Sequence, residues 1–275
     1  MKRAPDRAPL MESDYQLFFV PPITGEEQEH KIPDDLIRAL DTTGIDGVIT
    51  IGGGNNLADL LEEKGVPQVS FAGYGHYMVA LKDTQFLHES VSALVKAGCR
   101  RIGSWGTTTY EPSESDQPGS EQIHISAFHA ALAEFDLPLH LELVYFTSVK
   151  SGEWNRFGVS PKALGYERAL ELWSGPEEGR PDGLVISDDL MTSGVLAAFA
   201  KLRLDPVKTV QIATHANANS SILYPFDQDL IRIEYDTNNL VDSLFDLLDR
   251  VLRGETIVEK TVYIDPVVHL PALKD

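Results

Sequence analysis

Short runs of apolar, strand-forming residues alternate along the chain with longer segments in which apolar residues recur at helical spacing. In the first part of the chain, strand-like runs lie at 15–20, 47–52, 68–73, 77–82 and 101–106. Between the first three runs, the segments that contain IPDDLIRAL and NNLADLLEEKG have the apolar periodicity of helices. A longer helix is predicted over 84–98, because its apolar residues share one face and Gly98 is a typical C-terminal stop.

The same alternation resumes after a polar segment. Residues 107–120 are rich in turn formers and carry no apolar periodicity, which predicts a loop or a crossing between two lobes. Beyond it, strands are predicted at 141–146, 183–187, 209–215 and 230–236, and helices at 121–135, 160–173 and 190–202. This alternation predicts the α/β class, with helices on both faces of doubly wound parallel sheets. In such sheets ligands bind at the carboxyl ends of the strands.

Length and composition favour two lobes. A chain of 275 residues with 43% hydrophobic residues is long enough to bury two moderate cores. Its 42 acidic and 23 basic residues give a formal net charge of −19, which disfavours binding of nucleic acids and anionic membranes by this chain.

Cysteine usage and the N-terminus bear on the compartment. The single Cys99 cannot form an internal disulfide or a zinc site built on paired cysteines, so a reduced, cytoplasmic setting is expected. Residues 1–14 carry no apolar core of a signal peptide, and we expect them to be disordered. No run of about 18 consecutive apolar residues occurs, so no membrane span is predicted.

The stretch RPDGLVISDDLMTSGVLAAF, residues 180–199, runs a predicted strand into two carboxylates and then into an apolar-periodic helix. At such a junction one carboxylate can cap the free N–H groups of the helix while the other points into the crevice. We expect Asp189 to cap the helix and Asp188 to face the crevice. The alternative is that both residues are caps.

That stretch resembles a segment of the LacI/GalR family of bacterial regulators, which typically reads RPDAxxAxNDxMAxGxLxAL. Further stretches follow the family in the same order: GIDGVITIGG, GVPQVSF, LVKAGCRRIG, FHAALAEF and LIRIEYD…LVDSLFDLLDRVLRGE. The resemblance covers roughly residues 15–270. It implies a periplasmic-binding-protein-like sensor of type I, in which two doubly wound lobes are joined by three crossings and hold a small molecule between them.

The resemblance also implies how the chain is divided. The N-terminal lobe is expected to comprise 15–107 plus 237–260, and the C-terminal lobe 120–233 plus 264–275, with 108–119 as a crossing loop. The other crossings are expected near 233–237 and 260–266. The first strand and helix of the first lobe have no counterpart here. A mis-assigned start codon, a fragment of a longer regulator and a variant completed by a partner chain are the alternatives.

Ligand-binding residues are implied only where a local motif matches. The stretch SEQIHISAF stands where the family often has SxxxRxxGF. Ser120 therefore matches the serine of that motif, and His124 stands at the position of its arginine. Asp188, the first aspartate of SDD, takes the place of the asparagine in the family's Asn-Asp pair. His215, in ATHANANSS, stands where an aspartate of the family often contacts sugar hydroxyls. The implied ligand-binding residues are Asp83, Ser120, His124, Trp154, Asp188, His215 and Tyr235.

The two histidines change the expected ligand. A fixed arginine and aspartate suit the hydroxyls of a common hexose, whereas His124 and His215 are switchable donors and acceptors, and a purely structural role for each is the alternative. We therefore expect a small polar metabolite, either sugar-like or a cation that faces Asp83 and Asp188. Trp154 would offer such a cation a stacking face.

Family regulators begin with a helix-turn-helix head, and residues 1–14 contain no apolar periodic helix that could form one. The function expected is therefore that of an effector-binding sensor domain that does not itself bind DNA, and the resemblance implies a homodimer. A solute-binding protein of a transporter shares the fold but needs an export signal. An enzyme that uses His124, His215 and Asp188 as acid-base groups is the remaining alternative.

Neither a cofactor nor a metal is expected. IGGGNNLA follows a strand as a dinucleotide fingerprint does, but Leu57 stands at the third glycine. His124 and His129 are five residues apart, which does not place them on one helical face, and no HExxH motif occurs. The apolar stripes of the 190–202 helix and of LADLLEEKG could serve a dimer, although we expect most of them to face their own sheet.

Overall fold

The computed structural model describes residues 16–19, 31–42, 44–52, 54–110, 120–150 and 160–271. Two separate sheets organise these residues, one with four strands and one with six. The chain passes between the two sheets three times, and these crossings position the candidate site.

The smaller of the two lobes, called the small lobe here, is a four-stranded parallel sheet with helices on both faces. Its elements are α1 (Asp34–Thr42), β1 (Val48–Ile51), α2 (Asn55–Glu63), β2 (Gln68–Phe71), β3 (Tyr77–Leu81), α8 (Thr237–Leu252) and β9 (Thr261–Ile264). The strand order is β1-β2-β3-β9, and every neighbouring pair is parallel. Leu240, Leu244, Leu247 and Leu248 recur at helical spacing and turn one face of α8 toward this sheet.

The large lobe is built on the six-stranded sheet. Its elements are α3 (Asp83–Lys96), β4 (Ile102–Tyr110), α4 (Ser120–Ala133), β5 (Val144–Lys150), α5 (Pro161–Ser174), β6 (Gly183–Ile186), α6 (Asp189–Leu202), α7 (Pro206–Thr209), β7 (Gln211–Asn217), β8 (Ile231–Tyr235) and β10 (Val267–His269). The strand order is β10-β8-β7-β6-β4-β5. All pairs are parallel except β10 with β8.

Successive residues of β6 show why helices cover both faces of the large sheet. Val185 packs into a core that includes side chains of α3 and α4, whereas Leu184 and Ile186 pack into a second core with α5 and α6. All four residues of β6 are buried, as expected for a central parallel strand. The prediction of two doubly wound α/β lobes is confirmed.

The three crossings lie at Leu81–Asp83, Tyr235–Thr237 and Ile264–Val267, between the last residue of one sheet and the next element. The second and third overlap the ranges expected near 233–237 and 260–266, and β9, which fills most of the latter range, belongs to the small lobe. The first differs from the expected boundary at 107, because α3 packs on α4 and on strands β6 to β8, and β4 pairs with β5 and β6. Residues 111–119 of the expected crossing loop lie outside the described residues.

The strand predicted at 15–20 is wrong for the four residues that the structure describes. Residues 16–19 form irregular chain, although Phe18 packs beside the small core of α1 and α2. A strand needs a neighbour to accept its backbone hydrogen bonds, and residues 16–19 pair with no strand in the described part of the chain. The expected disordered segment 1–14 and the tail 272–275 lie outside the described residues.

Within the described ranges, no helix has both the length and the apolar character that a bilayer-spanning segment requires.

Candidate functional site

The carboxyl ends of β3, β6, β7 and β8 surround a cavity of about 220 Å³. This is the location that parallel sheets favour for ligands. Its walls combine two apolar side chains, Leu81 and Phe86, with six side chains that carry polar groups. The lining residues are Leu81, Asp83, Phe86, Ser187, Asp188, Asp189, His215 and Tyr235.

Asp188 occupies the turn from β6 into α6 and caps the helix. Its backbone is extended, with φ −145° and ψ 124°, and its Oδ1 accepts a hydrogen bond of 2.9 Å from the N–H of Met191. The expectation that Asp189 is the cap is therefore wrong, because the helix begins one residue earlier than that assignment requires. Burial raises the pKa of Asp188 and the charge of Asp189 raises it further, while the bond from Met191 and the nearby His215 act in the opposite direction.

Asp189 is the first residue of α6 and is only 7% exposed. Its Oδ2 atom is buried and has no hydrogen-bond partner among the described residues. Burial raises the pKa of this carboxyl group, and bonds to backbone N–H groups at the helix start offset part of the effect. A buried acceptor without a donor is costly, so this oxygen is a natural contact for a ligand.

His215 and Tyr235 lie side by side on β7 and β8. Their rings are 5.4 Å apart between centroids and tilted by 32°. His215 Nε2 and Tyr235 Oη are both buried and unpartnered within the described part of the chain. Burial lowers the pKa of His215, which keeps the imidazole neutral at pH 7 although Asp188 acts to raise it.

The three crossings meet around the Tyr235 hydroxyl. Burial raises its pKa most, and the charges of Asp83 and Asp265 raise it further. Asp83 begins α3 at the first crossing, and Asp265 lies in the third. Asp83 is exposed at the cavity mouth, yet surrounding protein atoms still desolvate it enough to raise its pKa. A ligand at this position would contact the segments that join the two lobes.

His124 lies in a neighbouring cluster and not on the cavity wall. Its Nε2 is 2.9 Å from Ser104 Oγ, and its ring stacks on Phe146 with 4.3 Å between centroids. Burial lowers its pKa to about 4, so the ring is neutral at pH 7. A Cβ on Gly106 would overlap Ser187 Oγ and crowd Phe146, so this glycine lets the cluster approach the cavity closely.

The structure thus brings Asp83, Asp188, His215 and Tyr235 together around one cavity, with His124 in the adjacent cluster. Ser120 begins α4, and the position of its side chain is not described. Trp154 lies outside the described residues.

Sequence reasoning missed four residues of the wall: Leu81, Phe86, Ser187 and Asp189. The signal for two of them was present, because Ser187 and Asp189 flank Asp188 at the same strand end. Phe86 follows Asp83 by three residues, which is one turn of a helix, and its burial on that face was predicted without its proximity to the cavity.

The wall offers many hydrogen-bond acceptors and few fixed donors. Three carboxyl groups, a neutral imidazole, a phenol and a serine hydroxyl face the cavity, and none of the lining residues in the described part of the chain is a lysine or an arginine. No group of three or more His, Cys, Asp or Glu that could hold a metal ion occurs among the described residues. The arrangement is chemically suited to holding a polar molecule through hydrogen bonds.

Comparison with known proteins gives one family match. Residues 91–270 match a family described as the periplasmic binding protein-like domain. No curated protein sequence matches the chain.

Solved structures of regulators share the fold. A regulatory protein of the LacI family from Chloroflexus aggregans is 18% identical with a TM-score of 0.68, and the alignment covers 86% of this chain and 80% of that one. The transcription regulator CcpA of Lactococcus lactis is 18% identical with a TM-score of 0.64, covering 86% and 81%. A structure described as a transcriptional regulator CelR–cellobiose complex is 16% identical with a TM-score of 0.65, covering 86% and 68%. At these identities the likeness concerns the fold.

Proposed function

Because the chain belongs to the periplasmic binding protein-like family, we propose that it is the effector-binding sensor domain of a LacI/GalR-like transcriptional regulator. In this proposal a small polar metabolite occupies the cavity between the lobes. The solved regulators with the same fold support the regulatory assignment. One of these structures is a complex of a transcriptional regulator with cellobiose, which is a small polar molecule.

The observation that carries the proposal is a set of three unpartnered polar atoms on residues that line one cavity. Asp189 Oδ2, His215 Nε2 and Tyr235 Oη are each buried without a hydrogen-bond partner among the described residues. Leaving one such group unsatisfied costs about 1–3 kcal/mol. Three of them in one cavity are expensive for a purely structural arrangement, and a polar ligand would supply the missing partners.

The location of the cavity suits a sensor. Asp83, Tyr235 and Asp265 lie at or beside the three crossings between the lobes. A molecule that contacts these segments binds one relative arrangement of the lobes better than another. Differential affinity of this kind is what shifts a population between two conformations.

Thermal unfolding with a library of polar metabolites, including mono- and disaccharides, tests the proposal. A ligand that binds only the folded state stabilises it by about 2.7 kcal/mol when its concentration is a hundred times Kd. We expect at least one compound to raise the melting temperature and isothermal titration to confirm one site per chain. If no compound in the library binds, the sensor assignment is contradicted.

A pair of tyrosine variants checks that binding occurs in the described cavity. Tyr235→Phe removes an unpartnered hydroxyl, so it should leave the stability of the free protein unchanged or slightly higher. It should weaken the ligand by roughly twofold to tenfold, the value of one neutral hydrogen bond. Tyr263→Phe is the matched control, because Tyr263 is 56% exposed on β9 and does not line the cavity. Equal effects of the two variants would place the ligand elsewhere.

Turnover separates a sensor from an enzyme. Asp188 lies near His215, which is a pairing that acid-base catalysis also uses. We expect the bound compound to be recovered unchanged after prolonged incubation with stoichiometric protein. Conversion to a product that requires His215 would favour the enzyme.

The homodimer expected from the resemblance stays a prediction. The apolar stripe of α6 is buried in its own lobe, as are Leu57 and Leu61 of α2. A dimer would therefore use other surfaces. Sedimentation equilibrium of the purified chain measures its oligomeric state.

A further inference from the structure

We propose that the cavity recognises its ligand through a protonated amino group, which the carboxylates of Asp188 and Asp189 hold from the β6–α6 turn and Asp83 attracts from the opposite side. This inference rests on the proposed function and narrows its ligand class to amine-bearing polar metabolites, such as amino sugars or diamines.

The charge balance of the wall is the first reason. Asp83, Asp188 and Asp189 line one cavity, Asp265 lies close enough to Tyr235 to influence it, and no lysine or arginine belongs to the described lining. Buried carboxylates are normally paired with cations. For Asp189, the buried member of the three, no such cation occurs among the described residues, and an ammonium group of the ligand would supply it.

The unpartnered atoms are the second reason. Asp189 is 7% exposed, and its Oδ2 has no donor within the described part of the chain. An ammonium group brings three N–H donors at one point, whereas a hydroxyl brings one. Charge-assisted bonds of this type are roughly twice as strong as neutral ones.

The helix termini do not favour an anionic ligand, although two of them adjoin the cavity. The N-terminus of α6 is capped by Asp188, and that of α3 begins with Asp83. The partial positive charge of each helix end is thus already matched by a carboxylate of the protein. An anionic ligand would have to approach three carboxyl groups without a countercharge from the described lining residues.

Neutral His215 and the Tyr235 phenol complete the site without adding positive charge. Burial keeps His215 in its neutral form, so its Nε2 can accept a hydrogen bond from an amine or donate one to a hydroxyl, depending on the tautomer. The aromatic rings of Phe86 and Tyr235 supply apolar walls against which the carbon skeleton of a ligand can pack.

Matched pairs of compounds test the inference. Titration calorimetry at pH 7.5 compares glucosamine with glucose, galactosamine with galactose, and putrescine with 1,4-butanediol, in addition to the metabolite library. We expect at least one amine to bind tenfold or more tightly than its hydroxyl counterpart. If the neutral member of every binding pair is equal or better, or if only neutral or anionic compounds of the library bind, the amine inference fails while the sensor function stands. If nothing in the library binds, both fail.

Two aspartate variants locate the contact. Asp188→Asn keeps an N-cap, because asparagine caps as well as aspartate does, so the fold is retained. It should weaken the amine about tenfold or more, the factor expected for a charged hydrogen-bond partner, and change the affinity of the neutral counterpart by less than threefold. Asp205→Asn is the control, because Asp205 caps α7 ahead of β7, at the end of the sheet opposite the cavity. Equal loss for amine and neutral compound in Asp188→Asn would overturn the inference.

The pH dependence of binding gives an independent readout. The titratable groups that face the site are Asp188 and Asp189 from β6–α6, His215 from β7, Tyr235 from β8, Asp83 from β3–α3 and Asp265 from β9–β10. The carboxyl groups that line the cavity have raised pKa values, so they take up protons at a higher pH than ordinary aspartates do. Affinity for the amine should therefore decrease as the pH falls from 7.5 through the range in which these carboxyl groups and His215 take up protons. An affinity that is constant or increases over this range would contradict carboxylate recognition.

Discussion

Asp188 Oδ1 lies 2.9 Å from the backbone nitrogen of Met191, so one carboxyl group both caps α6 and lines the cavity. The neighbouring Asp189, which the sequence suggested as the cap, instead buries an unpartnered oxygen in the same cavity. The ligand-binding wall and the start of the helix are therefore built from the same two residues.

Removal of the cap should destabilise the protein. Asp188→Ala leaves the N–H of Met191 without its acceptor, and the loss of such a cap costs about 0.5–2 kcal/mol. Asp188→Asn retains an acceptor and should unfold at nearly the same urea concentration as the wild type. A stability of Asp188→Ala equal to that of Asp188→Asn would show that the bond contributes nothing.

Asp189 should reduce stability at neutral pH. Its folded pKa is raised by burial, so the folded state binds protons more readily than the unfolded chain, and stability falls as the pH rises through the folded pKa. Asp189→Asn removes the charge and should unfold at a higher temperature than the wild type at pH 7. The difference should vanish near pH 3.5, below the unfolded value. A variant that is less stable than the wild type at both pH values would contradict this.

His124 should reduce stability at acid pH. Burial lowers its folded pKa to about 4, so the unfolded chain takes up the proton first, and stability is lost as the pH falls from about 6.5 toward 4. His124→Gln should lose less stability than the wild type between pH 7 and pH 4.5 in urea unfolding. His129→Gln is the control, because His129 is exposed on the same helix. The same loss in all three proteins would exclude His124 as the cause.

The contact between α5 and α6 should depend on Gly194. A Cβ at this position would overlap the carbonyl oxygen of Lys162, which is backbone and cannot rotate away. Gly194→Ala should therefore destabilise the large lobe by about 1–3 kcal/mol or more, as overpacking does. Gly175→Ala is matched to it, since its nearest atoms would be 3.6 Å away, and should change stability by less than about 0.5 kcal/mol. Similar urea midpoints for the two variants would contradict this packing.

The chain should not bind duplex DNA by itself. A net charge of −19 repels the phosphate backbone, and phosphate contacts supply most of the sequence-independent affinity. A mobility-shift assay at physiological salt with micromolar chain should show no complex. Submicromolar binding would refute the expectation.

Four residues of the candidate site, Asp83, Asp188, His215 and Tyr235, were implied by the resemblance to LacI/GalR regulators. Each lies at, near or just after the end of a predicted strand, and the parallel topology explains why they lie together at one edge. His124 could not be placed in the same way. Its side chain leaves a helix, and its contacts with Ser104 and Phe146 depend on how α4 rests on the sheet.

Two further features escaped sequence reasoning for local physical reasons. The strand predicted at 141–146 begins at Val144, because Leu141–Leu143 forms a single 3₁₀ turn whose apolar composition resembles that of a strand. The short strands β9 and β10 were not predicted, since segments of three or four residues carry too little periodicity to be recognised.

The sequence by itself determined the alternation of strands and helices, the α/β class and the set of strand ends that carry polar residues, because these depend on periodicity and residue type within a few neighbours. Only the tertiary structure decided that α3 and β4 belong to the large lobe, that Asp188 and not Asp189 is the cap, and that three unpartnered atoms share one cavity. These outcomes depend on which strands pair and on a one-residue difference in where α6 begins, and the energies that select them arise from contacts between residues far apart in the chain.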